Sequence, residues 1–254
     1  MSKNFELMQQ AGKEQEFQPG RKLEPVAVTT FGNGNGYREA DGMNLDQVAG
    51  EESLRLVQRI FLLQSQEPPH MVTFAGIDHG GGSSEICVRV AETLTKNISG
   101  TVCIVEANLR SPALPGMFGT TNHHGLTNAL LTDGPIRSFA KPVRGDKLWL
   151  LSSGALAVDS ANLLNSEQLR TRLTELRREF DFVLIDAPPL TRYADAIALG
   201  QLSDGFVLVL EANATRREAA LKVSENLRAA QIKVLGAVLN KRTFPIPESL
   251  YNKL

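Results

Sequence analysis

Three consecutive glycines, Gly80, Gly81 and Gly82, followed by Ser83, Ser84 and Glu85, separate the apolar run 71–76 from the helical run Ile86-Cys87-Val88-Arg89-Val90-Ala91. Backbone amides in such a turn can face inward, and the helix behind adds partial positive charge at its N-terminus. Phosphate is the ligand that suits both. A phosphate loop that works on nucleotides ends in Gly-Lys-Ser/Thr, where the lysine reaches the outer phosphates and the hydroxyl holds magnesium. Here Ser83 stands at the lysine position and Ser84 after it, while Glu85 puts a carboxylate where phosphate would approach. The nearest lysine downstream, Lys96, is about three helical turns away. A lost charge-assisted contact costs ~1.5–3 kcal/mol, so the turn reads as a weak phosphate site, or the relic of one, resting on backbone amides and Ser84.

Two further apolar runs end in acids. The run 102–106 leads into Glu106-Ala107-Asn108-Leu109-Arg110-Ser111-Pro112, and 182–186 ends in Asp186-Ala187-Pro188-Pro189. An aspartate closing a buried strand is the magnesium-side carboxylate of a phosphate-loop enzyme. The competing reading is a helix cap, which the following Pro-Pro makes less natural. Asp195 is a second carboxylate that could face the same crevice, but it reads more simply as a solvated helix residue. The adjacent His123 and His124 read as exposed loop residues rather than metal ligands. Trp149 reads as core, Cys87 and Cys103 as small buried hydrophobes, and Arg172, Arg177 and Arg178 with Glu175 and Glu179 as a solvated helix face.

The elements that must position these residues alternate. Strands are expected at 71–76, 102–106, 147–151, 182–186, 206–210 and 233–239, as near-continuous apolar runs suited to burial on both faces. Helices are expected at 51–64, 84–97, 125–132, 166–179, 192–202 and 215–230, with Leu54, Val57, Phe61 and Leu62 on the core face of the first and starts at Ser166 and Thr215. The pattern predicts an α/β fold: a doubly wound, mainly parallel sheet with helices on both faces, in one domain over 51–254. Seven of the 21 glycines fall in 1–50, which reads as a flexible arm; Phe5, Met8 and Ala11 could form one face of a short helix within 3–15. With 27 basic against 28 acidic residues, no nucleic-acid or lipid footprint is expected. No run approaches the ~18 apolar residues of a membrane span, and the start lacks a signal pattern, so a cytoplasmic protein is expected.

Over about 51–241 the chain resembles the cytoplasmic ATPase domain of the bacterial tyrosine kinases (BY-kinases) of capsule and exopolysaccharide systems, within the deviant P-loop group that includes partitioning and septum-site ATPases. Glu52-Ser53-Leu54-Arg55, with Gln58 and Arg59, resembles the family's Glu-x-x-Arg-x-x-Arg oligomerisation helix. The glycine turn resembles Pro-Gly-x-Gly-Lys-Ser-Thr, with His79 at the proline. Glu106 to Pro112 resembles Asp-x-Asp-Leu-Arg-x-Pro, Asn162 to Ser166 resembles Pro-x-x-Leu-Leu-x-Ser, Phe182 to Pro189 is similar to the strand that ends in Asp-x-Pro-Pro, and Val238-Leu239-Asn240 is similar to the strand whose asparagine contacts adenine.

The resemblance implies ATP or ADP with Mg as ligands. Gly80, Gly81, Gly82, Ser83, Ser84 and Asn240 would bind the nucleotide, Ser84 and Asp186 the metal, and Asp186, Glu106 and Asn108 would occupy the catalytic positions. Glu52, Arg55 and Arg59 would serve oligomerisation, and Tyr251 would be the phosphoacceptor. The departures imply impaired or absent kinase activity: Ser83 replaces the lysine, Glu106 is one methylene longer than aspartate, Asn108 cannot act as a base, and Tyr251 is the sole tyrosine of the tail. The expected role is a regulatory or scaffold subunit under a membrane polysaccharide co-polymerase, associating with itself or an active paralogue and reaching the membrane only through a protein partner. The alternatives are an active autokinase with its clamp rebuilt by a lysine or arginine from elsewhere, such as Arg110 or Lys241, or from a neighbouring protomer, and a partitioning-type ATPase relative.

Overall fold

The computed structural model describes residues 27–32, 45–62, 68–155 and 160–242. The helix expected within 3–15 and Tyr251 lie outside them. Eight strands among the described residues form one sheet: β1 (Ala27–Gly32), β2 (Met71–Gly76), β3 (Val102–Glu106), β4 (Lys141–Arg144), β5 (Leu148–Leu151), β6 (Phe182–Asp186), β7 (Gly205–Glu211) and β8 (Val234–Arg242). Their order is β1-β8-β7-β2-β6-β3-β5-β4. Every pairing is parallel except β4 with β5. The carboxyl ends of β2, β6 and β8 therefore open on one edge. β2 lies between β6 and β7, where the chain's winding reverses, and open α/β sheets bind ligands at that point.

Helices cover both faces: α1 (Leu45–Val57), extended by a π-helical turn over Gln58–Leu62, α2 (Ser83–Asn97), α3 (Leu114–Met117), α4 (Leu126–Leu131), α5 (Ser160–Leu164), α6 (Glu167–Glu179), α7 (Asp195–Gln201) and α8 (Arg217–Ala229). The strand period of two sorts the core. Val72, Phe74, Ile104 and Leu184 face α1 and α2, whereas Met71, Ala75, Val105 and Ile185 face α4, α6, α7 and α8. Cys87 and Cys103 fall in these two different clusters, so they are separate buried thiols. No described helix is long and apolar enough to cross a membrane.

Several expectations are corrected. Residues 27–32 are not part of a flexible arm: β1 pairs with β8, an edge position that asks little apolar content of its own sequence. The first helix starts at Leu45, and its core face is Ser53, Leu56, Val57, Ile60 and Phe61 rather than one carrying Leu62, which is 44% exposed. The last helix starts after Thr215, whose hydroxyl instead accepts the Glu211 N–H at 2.9 Å. Ser166 does cap α6, accepting the Leu169 N–H at 3.3 Å. β4 escaped because Lys-Pro-Val-Arg has no apolar run; such composition suits an edge strand. Trp149 is half-buried, its indole N–H on the Asp146 carbonyl and its ring under Arg137.

Arg172 is likewise not solvated. It is 8% exposed, and its guanidinium donates to the carbonyls of Ala129 (2.7 Å), Thr132 (2.7 Å) and Gly134 (2.8 Å), closing the C-terminal end of α4. Arg172→Leu leaves three inward carbonyls without donors, so a stability loss of about 3 kcal/mol is expected by urea denaturation. A loss under 1 kcal/mol contradicts the capping role.

Candidate functional site

The glycine turn hangs from the carboxyl end of β2, beside those of β6 and β8. Leu190 and Thr191, in the loop after β6, donate backbone N–H groups to the carbonyls of Gly76 (3.0 Å) and Ile77 (3.1 Å). The Thr191 hydroxyl bonds the Asp78 carboxylate at 2.9 Å. From the other side Asn240 Nδ2 donates to the Gly81 carbonyl at 3.0 Å. Gly82 has a φ of 81° and ends the turn at the first residue before α2. A Cβ there would lie 2.3 Å from Asn240 Nδ2, so position 82 requires glycine for conformation and space alike. Gly80, Gly81, Gly82, Ser83, Ser84 and Asn240 are thus brought together.

Asp186 is fully buried at the end of β6, and among the described residues neither carboxylate oxygen makes a well-formed hydrogen bond, the Ser84 hydroxyl being close enough to act on it. Burial pushes its carboxyl up to about 7, tempered by the nearby Ser84 hydroxyl. A buried ionisable group without well-formed hydrogen bonds is costly, and it is the arrangement expected where a bound cation completes the shell. Glu106 faces Asp186 in the β3–β6 register and is also fully buried. Its pKa rises to about 8, chiefly from burial and then from the Asp186 charge, offset by backbone donors. Those donors are the amides of Leu114 (2.7 Å) and Ala113 (3.1 and 3.2 Å), so Glu106 seats the start of α3 rather than standing open. Asn108 follows β3 half-buried.

Glu85 keeps one carboxylate oxygen near Gly82, 3.8 Å from where a Cβ at that position would lie, while the other turns away from it. The side chain is 47% exposed and swings along α2 to Arg89, at 2.6 Å. His79 is exposed in the turn, and His123 and His124 are exposed in their loop. Among the described residues no cluster of three or more metal-ligating side chains occurs. Asp195, expected in solvent, is buried and ion-paired to Arg110, whose guanidinium also stacks on the Tyr193 ring at 4.3 Å. This pair ties the loop after β3 to the start of the helix that follows β6. Lys241 is different: its ammonium donates to the Gly80 carbonyl at 2.6 Å and reaches Glu211 at 3.2 Å. Glu52 is half-buried on α1, with its pKa raised by burial against the pull of Arg55 and Arg242; Arg55 and Arg59 are exposed.

Tyrosine-protein kinase YwqD of Bacillus subtilis is 32% identical over 161 residues, 63% of this chain and 68% of that protein. The chain belongs to the bacterial tyrosine-protein kinase family. The fold agrees. The kinase domain of Escherichia coli tyrosine kinase ETK superposes with a TM-score of 0.73 at 18% identity, covering 87% of this chain and 93% of that one. The septum site-determining protein MinD of Pyrococcus horikoshii, complexed with Mg-ADP, gives 0.58 at 19%, covering 72% and 76%. No protein-family model matches the chain. The turn, Ser84, Asp186 and Asn240 stand together, while Ser83 carries no charge and Glu106 is engaged by backbone amides.

Proposed function

We propose that this bacterial tyrosine kinase relative binds a Mg-nucleotide but transfers phosphate poorly or not at all, acting as a cytoplasmic regulatory subunit of capsule or exopolysaccharide assembly. The observation that carries this is the contrast between two neighbouring carboxylates. Asp186 is buried beside the Ser84 hydroxyl without a well-formed hydrogen bond, as a metal-side ligand would be, whereas Glu106 is consumed by the amides of Ala113 and Leu114. Ser84 and Asp186 would hold the magnesium, which supplies charge neutralisation for the phosphates. The glycine turn would cradle those phosphates, with Asn240 near the base. A phosphotransferase also needs a group that accepts the hydroxyl proton. Asn108 cannot accept that proton, and Glu106, with a pKa near 8 and its oxygens on backbone N–H groups, is badly placed for it.

The outer surface of α1, with Glu52, Arg55 and Arg59, then serves association with itself or an active paralogue. Contact with the membrane goes through a co-polymerase partner, since the chain's net charge is −1. Isothermal titration with Mg-ADP and Mg-ATP, paired with a phosphotyrosine assay on the full chain, tests the proposal. Saturable, Mg-dependent binding without phosphotyrosine at Tyr251 is expected. Sustained autophosphorylation contradicts the regulatory reading, and a chain that takes up neither nucleotide contradicts the site.

A further inference from the structure

β8 reaches the glycine turn with two consecutive side chains, which a regular strand cannot do because successive residues point to opposite faces. The register explains how. Thr30 of β1 pairs with Leu239 and Gly32 with Arg242, so two steps along β1 match three along β8. The extra residue is a bulge at Asn240–Lys241, and Lys241 has a left-handed φ of 57°. A non-glycine residue in that region costs about 1–2 kcal/mol, and bulges of this kind re-aim side chains beside functional sites. Here the result is that Asn240 Nδ2 lies on the Gly81 carbonyl and Lys241 Nζ on the Gly80 carbonyl.

We propose that Lys241 is the phosphate-clamp cation of this protein, delivered from the bulged end of β8 to the outer phosphates of a nucleoside di- or triphosphate in place of the lysine absent at position 83. The ammonium is already at the crest of the turn, about one-third exposed, and shared between a neutral carbonyl and one carboxylate, Glu211. A polyphosphate bearing several charges competes with both partners. Arg110 is paired with Asp195 and stacked on Tyr193 rather than bonded to the glycine turn, and Lys96 stands at the far end of α2. Glu211 would act as the resting partner that orients the ammonium before the phosphate arrives.

The inference rests on the nucleotide reading of the same site, so the experiment separates the two. Mg-ADP binding to the full chain is titrated for the wild type, Lys241→Met, Lys241→Arg and the double variant Lys241→Met/Ser83→Lys, with melting temperatures measured in parallel. Lys241→Met is expected to weaken binding about ten- to hundredfold. Lys241→Arg should retain most of the affinity, and Ser83→Lys should recover it in the Lys241→Met background, which a merely structural role for Lys241 would not permit. Wild-type binding that Lys241→Met leaves unchanged, or that Ser83→Lys fails to recover, overturns the clamp and leaves the nucleotide site standing. Absence of wild-type binding overturns both.

Discussion

Asp186→Asn is expected to stabilise the ligand-free chain, and to do so more at pH 8 than at pH 5. In the unfolded chain the Asp186 carboxyl has its ordinary value of 3.8 and Glu106 its value of 4.5; in the fold they rise to about 7 and about 8. The folded protein therefore binds more protons than the unfolded one between about pH 4 and pH 8. Stability falls as pH rises through that window. The cost is absent below the unfolded values and complete above the folded ones. One pH unit corresponds to about 1.4 kcal/mol, so the Asp186 shift alone is worth about 4 kcal/mol at pH 8. A buried amide returns about 1–2 kcal/mol of that through its own unmet hydrogen bonds. A net gain of about 2 kcal/mol at pH 8 remains. Removing the Asp186 charge also relieves Glu106. Thermal denaturation in EDTA at the two pH values checks this, and an equal shift at both, or a loss at pH 8, contradicts it. In the same variant, stabilisation by Mg-ADP should disappear. A residue whose loss strengthens the fold and abolishes ligand binding is held there for the ligand.

Gly125→Ala should be among the most damaging single-methyl changes in the molecule. The peptide at Gly125 passes so close to the end of β5 that a Cβ would lie 2.1 Å from the Ser152 carbonyl oxygen and 2.5 Å from the Gly154 nitrogen. Both are backbone atoms and cannot rotate aside. Two main-chain bonds sit at this crossing, Leu126 N–H to the Ser152 carbonyl at 2.7 Å and Thr127 N–H to the Ser153 carbonyl at 2.9 Å. Pushing the segments apart breaks both in a buried setting, at about 1–3 kcal/mol each. A loss of about 3 kcal/mol and a fall in Tm of about 6–12 °C are expected. The backbone at Gly125 is extended, with φ 177°, so the penalty is steric and not conformational. A variant that melts within 2 °C of the wild type contradicts the close approach.

Neither effect is visible along the chain, and the reason is common to both. Gly125 precedes a short helical pattern and looks like any helix start; its requirement comes from a strand end nearly thirty residues later. Glu106 matches a motif position, yet the amides that engage it belong to α3, whose Leu-Pro-Gly-Met has no helical periodicity. Arg172 sits in charged helical surroundings that normally face water, and Asp195 opens a short helix of otherwise uncharged residues, where an acid normally faces water too. Their partners are three carbonyls near α4 and a guanidinium after β3. Long polar side chains sample several directions, and the local sequence does not say which distant group lies at the end of the reach.

What the sequence by itself determined was the order of six of the eight described strands and of the longer helices between them, through the period of the apolar residues, and the residues of the candidate site that meet at the glycine turn. The glycine turn, Asp186 before Pro-Pro, Asn240 at a strand end and the missing lysine at 83 are all local patterns whose physical meaning depends on near neighbours alone. What only the tertiary structure decided was which charges are spent. It tied Glu106 to backbone amides and Arg110 to Asp195, buried Asp186 without a well-formed hydrogen bond, and laid Lys241 on a carbonyl 161 residues away. Secondary structure follows from interactions within a few residues, whereas the charge state and reach of a site depend on groups that meet only when the sheet has closed its register.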